Sequence, residues 1–122
     1  MIVDWAPERV VLEVRAAEAA AGAARAVAGV AALQPGLWGL VRRLAADTFE
    51  RLGGRPLPDI AGVDADLTDA GLRLDLRIVL APGHQAVAVG TRVQRAVAAA
   101  VPAAVGHPVA AVAVHVVGVQ LE

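Results

Sequence analysis

The sequence predicts an α+β domain, a two-layer sandwich in which a small mixed β-sheet carries its helices on one face. Three observations predict it. Segments with apolar residues at spacings of three and four alternate with segments of period two. One strand-like run, 71–80, alternates apolar and charged residues, so its sheet has one dry face and one wet face. A helix-patterned segment separates that run from a second apolar strand, which makes the two strands parallel, with a right-handed crossover, if they share a sheet. The 122 residues allow a single domain, 1–122, and neither a repeat nor a linker divides them.

Residues 6–28 read as the first helix. Pro7 suits its first turn, and Asp4 or Glu8 suits the positive end of the helix dipole. Val10, Val14, Ala17, Ala21, Ala24 and Ala28 form one apolar stripe, and Gly29 ends the helix. Val30 to Leu33 is a short apolar strand, followed by the turn signal Gln34-Pro35-Gly36. Residues 37–52 read as a second helix, with Trp38, Val41, Leu44, Phe49 and Leu52 on one face and Gly53-Gly54-Arg55-Pro56 as its stop.

Residues 62–68 and 71–80 form a hairpin around Asp69-Ala70-Gly71. Leu72, Leu74, Leu76, Ile78 and Leu80 point one way; Arg73, Asp75 and Arg77 point the other. Residues 86–101 make a third helix with Ala86, Gly90, Val93, Val97 and Val101 inward, and Pro102 ends or kinks it. The last strand runs from Val109 to Val119. It places Val112, Val114 and Val116 on one face and Ala111, Ala113, His115, Val117 and Val119 on the other. All three helices are expected on one face of the sheet. Leu72, Leu74, Leu76, Ile78, Val93, Val97, Val112, Val114 and Val116 should dominate stability, at about 1.5–3 kcal/mol for each fully buried side chain.

Composition limits the chemistry. Hydrophobic residues make up 57% of the chain, which is enough for a core, and the formal net charge of −1 gives no general attraction to nucleic acid or anionic lipid. Cys, Ser, Lys, Asn and Tyr are absent, and all 11 cations are Arg, a bias that looks like coding from a GC-rich genome. Serine and cysteine nucleophiles, Schiff-base and P-loop lysines, thiolate metal sites and disulfides are therefore excluded. The N-terminus has neither the basic nor the apolar region of a signal peptide. The uncharged stretch 96–121 is long enough for a membrane span, but Pro102, Gly106 and Pro108 break it. The expectation is a cytoplasmic protein without direct membrane insertion.

Four constellations could carry chemistry. His84, His107 and His115 lack the spacing of a metal motif. Asp59, Asp64, Asp66 and Asp69 form an acidic run, in which Asp64 and Asp66 share a strand face, but the run lacks the spacing of a calcium loop and reads as a solvated edge. Gly36-Leu37-Trp38-Gly39 has the form of the loop that clamps nucleotides in KH domains; its apolar centre and the scarcity of aromatics argue against nucleic acid. Arg42, Arg43, Arg51 and Arg55 cluster around the second helix, and Arg92 and Arg95 lie on the third. The wet sheet face, with Arg73, Asp75, Arg77 and His115, is the candidate partner-contact surface. No catalytic, cofactor-binding or metal-ligating residue is assigned.

The run GVDADLTDAGLRLDLRIVLAPGHQAVAVGTRVQRAVAAAV at 62–101, followed by GHPVAAVAVHVVGVQ at 106–120, resembles the alkaline shock protein family of cell-envelope stress proteins. The shared pattern is a Gly-Val strand, an alternating strand ending near Gly83, a helix with V-Q-x-x-V (Val93, Gln94, Val97) and a strand V-x-V-x-V-x-G-V. GVAAL at 29–33 matches the end of the family's first helix. Two departures stand out: Pro82-Gly83 replaces the usual Tyr-Gly, and the segment from Leu37 to Pro58 is longer and more helical. The resemblance implies a non-enzymatic cytoplasmic protein of envelope stress response or maintenance. It would act as a self-associating interaction scaffold, without a cofactor, and could be held at the membrane by a separate anchor protein. The alternatives are a KH-like RNA-binding module and a small-ligand or metal-dependent enzyme using His84, His115 and the aspartates.

Overall fold

The computed structural model describes residues 7–34 and 62–121. Two helices and four strands follow in the order α1 (Pro7–Arg25), β1 (Val30–Leu33), β2 (Val63–Thr68), β3 (Gly71–Leu80), α2 (Ala86–Val105) and β4 (Val109–Val119). The two helices pack against each other and on one face of a mixed sheet, as the alternation in β3 requires. The helix expected at 37–52 lies outside the described residues.

β3 is the centre of the sheet. β4 runs parallel to it on one side, from Leu72↔Val109 to Leu80↔Val119. β2 pairs antiparallel on the other side, from Val63↔Leu76 to Thr68↔Gly71. The Asp69-Ala70 turn between β2 and β3 is held by Thr68, whose Oγ1 donates to the Gly71 carbonyl at 2.7 Å and accepts the Ala70 N–H at 3.3 Å. Gly71 has φ +129°, and a Cβ there would stand 2.7 Å from the Pro108 carbonyl oxygen, so glycine is needed where β3 meets the start of β4.

β1 lies end to end with β2 along the same edge of β3. It pairs antiparallel with the far end, Val30↔Leu80 to Leu33↔Ile78. Arg77 joins the two pieces: its carbonyl accepts the Gln34 N–H and its own N–H donates to the Gly62 carbonyl, both at 2.9 Å. The two strands are thus one edge strand interrupted between Gln34 and Gly62. Gly62 has φ +86°, and a Cβ on it would meet Leu33 Cβ at 2.7 Å. Gln34 and Gly62 thus meet at a single rung of the sheet.

The core is built from Leu72, Leu74, Leu76 and Ile78 of β3 and Val89, Val93, Val97 and Val101 of α2, all fully buried. α1 contributes Ala16, Ala17, Ala20, Ala21 and Ala24, small side chains that allow close approach to its neighbours. Several expectations need correction. The first helix ends at Arg25 rather than 28, in successive turns that leave Ala28 exposed, and its buried stripe is widened by Ala16 and Ala20. Pro102 does not end α2, which runs to Val105. Proline has no N–H to donate, yet its own carbonyl accepts the Gly106 N–H at 2.8 Å and closes the last turn. Val89 is a core residue, whereas Ala86 and Gly90 are only half-buried.

β4 contributes less to the core than its sequence suggests. Val112 and Val114 are half-buried, and Val116 is 37% exposed. A bulge between Val116 and Gly118 also shifts the register, so Val119 pairs with Leu80 and belongs on the helix side rather than the open side.

Candidate interaction surface

Because the even-numbered residues of β3 are buried under the helices, Arg73, Asp75 and Arg77 project from the opposite face. No described element packs on that face. Parallel register sets His115 beside Arg77, and the His115 Nε2 lies 3.3 Å from Asp75 Oδ1 with both side chains about half exposed. The four residues nominated from the sequence therefore stand together.

Two further residues join them. Register places Asp66 opposite Arg73 and Asp64 opposite Asp75. The acidic run at 64–66 is thus part of this surface, although the sequence presented it as a separate feature. The hairpin carried the signal, because a two-residue turn at Asp69-Ala70 fixes every cross-strand partner. Around this charged centre lie small apolar residues, with Ala111 and Ala113 on β4 and Ala32 and Val79 beyond Arg77.

The other histidines lie elsewhere. His84 is exposed in the turn after β3, and the His107 ring Nδ1 lies 3.3 Å from the Val105 carbonyl. Among the described residues no group of three His, Asp or Glu side chains could hold a metal ion, and no polar side chain is fully buried. Arg92 and Arg95 are exposed on α2. Gly36 to Gly39, Asp59 and the arginines at 42, 43, 51 and 55 lie outside the described residues.

The two edges of the sheet carry features that sequence reasoning missed. On the β2 edge, Leu67 is gripped at both backbone groups from α1: its N–H donates to Glu13 Oε2 at 2.8 Å, and its carbonyl accepts from Arg9 Nη2. Arg9 also lies 3.6 Å from Glu13 and 3.8 Å from Asp66. On the β4 edge the Gln94 Nε2 donates to the Val112 carbonyl at 3.1 Å. Beside it an open groove of about 270 Å³ runs between α2 and β4, lined by Val87, Gly90, Thr91, Gln94, Val114 and Val116.

Comparison with known families gives a match over nearly the whole chain. The model of the Asp-twenty-three family, which has a cell envelope-related function, fits residues 9–121. The chain belongs to the alkaline shock protein family. Comparison with curated proteins and with solved structures gave no match. The alkaline shock motifs take structural places in the fold. V-Q-x-x-V puts Val93 and Val97 in the core and Gln94 on the β4 edge, V-x-V-x-V-x-G-V is β4 itself, and GVAAL runs into β1. Among the described residues of this alkaline shock protein, no helix is long and apolar enough to cross a membrane.

Proposed function

We propose that the chain is a non-enzymatic scaffold of envelope maintenance that works by protein–protein contact. It self-associates, and a separate anchor protein holds it near the membrane. The observation that carries this reading is the sheet face on which none of the described elements packs. A flat surface with Asp66, Arg73, Asp75, Arg77 and His115 at its centre suits a polar protein partner of alternating charge. The family's envelope-related role supports the same reading.

The test is the double variant Arg73→Glu, Arg77→Glu, with Arg92→Glu, Arg95→Glu as the control surface. Exposed charges contribute about 0–1 kcal/mol, so circular dichroism and the melting curve should be nearly unchanged. The double variant should lose partners that the wild type retains from a host extract containing its membrane fraction. A folded variant that keeps every partner would overturn the assignment of the face.

A further inference from the structure

We infer that the β4 edge is the surface through which two copies of this chain join, strand against strand, into one continuous sheet. The inference deepens the self-association reading and rests on it, but moves the self-contact from the open face to the edge.

Backbone direction makes the edge available. Arg77 spends its N–H and carbonyl on the β1–β2 side, whereas Leu72 donates to the Pro108 carbonyl and Leu80 accepts from Gln120 on the β4 side. The even-numbered residues of β3 therefore bond to β4. In a parallel pair each of them bonds the residues flanking its register partner. Leu74, Leu76 and Ile78 have Val112, Val114 and Val116 as register partners, so those three valines aim their own N–H and carbonyl groups away from the sheet.

The chemistry of the edge points to a second copy. No Asp, Glu or Arg occurs from Ala96 to Leu121, so the strand lacks the charges with which an edge ordinarily repels another strand. The β2 edge is unsuited as the partner. Its acidic Asp64, Asp66 and Asp69 would find no cationic arginine on β4, and Leu67 is already occupied by Arg9 and Glu13. The β4 of another copy carries the same uncharged valines and fits antiparallel about a twofold axis at Val114, with Val112 opposite the second copy's Val116. Backbone pairing alone is a thin contact. The groove beside it, with Val87 76% exposed, adds apolar area toward the roughly 1,200–2,000 Å² of a stable interface.

Gln94 acts as a latch on this edge. Its amide holds the Val112 carbonyl, the group that the second copy's Val116 N–H would take. Pairing must displace it, once in each copy.

The test uses the full chain in sedimentation equilibrium over a range of concentrations, together with amide hydrogen exchange at the two extremes. The expected result is a closed dimer whose Val114 and Val116 amides are protected only when concentrated. Val116→Lys should remove the dimer and leave the circular dichroism unchanged. Gln94→Ala should tighten the dimer on the order of tenfold, because a competing hydrogen bond is lost in each copy. A wild type that stays monomeric at every concentration overturns this inference and the self-association reading together. A dimer that leaves those amides unprotected and survives Val116→Lys overturns the edge alone. A looser dimer in Gln94→Ala overturns the latch, and oligomers that grow with concentration overturn the closed pair.

Discussion

Among the described residues, the two edges of the sheet face one problem, a row of backbone groups with no neighbouring strand, and finish it differently. On the β2 edge an ion pair one helical turn apart on α1, Arg9 and Glu13, reaches down and occupies both backbone groups of Leu67. On the β4 edge, among the described residues, a neutral amide, Gln94, covers one carbonyl of a strand of 11 residues. Helix α1 buries mainly alanine and adds little apolar area, so its charged residues tie it to the sheet as well as closing the edge. Helix α2 buries a stripe of four valines and needs no such tie. The edge that is closed is the one whose helix is weakly held, and the edge left uncharged lies under the helix that packs well.

The largest effect should come from the residue that both edges share. Leu76 is fully buried and is the register partner of Val63 on β2 and of Val114 on β4. Leu76→Ala should cost about 2–5 kcal/mol, measured by chemical denaturation. Amide exchange should show both edges opening in one transition. Separate transitions for β2 and β4 would mean that the edges are independent units, and the comparison between them would lose its common reference.

Where charged residues mark the wet positions, the fold was legible from the sequence. Strand β3 alternates Leu or Ile with Arg or Asp, and its faces came out as read. Arg73, Asp75 and Arg77 of the open face were legible for the same reason, and His115 as the lone polar side chain of its strand. Strand β4 has no other marker, so nothing in its valines and alanines revealed the bulge that moves Val119 to the helix side. Pro102 misled because the rule for the residue before proline is a bias against helix, which Gly106 and the closing bond to Pro102 override. The interrupted edge strand depends on Gln34 and Gly62 meeting at Arg77, a contact that local patterning does not encode. Arg9 and Glu13 read as solvent-side charges because their partner, Leu67, is more than fifty residues away.

The next effect isolates the closed edge. Glu13→Ala removes the acceptor for the Leu67 N–H at a half-buried position, and no side chain replaces it. The expected loss is about 1–3 kcal/mol, the cost of leaving a partly buried donor unpaired. Glu13→Gln keeps an acceptor oxygen and should lose less. Denaturant titration of both variants, with exchange measured at the Leu67 amide, checks the ordering. Equal losses would assign the edge's stability to charge rather than to the hydrogen bond.

The smallest stability effect belongs to the other edge. Gln94→Ala, measured at a concentration low enough to keep the chain monomeric, removes one neutral hydrogen bond between exposed groups. Water can replace the lost donor at the Val112 carbonyl, because that carbonyl faces outward. The loss should therefore be no more than about 1 kcal/mol, below that of Glu13→Ala. The two variants should rank in the opposite order for association: Gln94→Ala acts directly on the edge proposed to pair, while Glu13→Ala acts on the edge that does not. A loss in Gln94→Ala as large as in Glu13→Ala would mean that water cannot reach the Val112 carbonyl. The β4 edge would then be closed in the monomer, and the contrast between the two edges would fail.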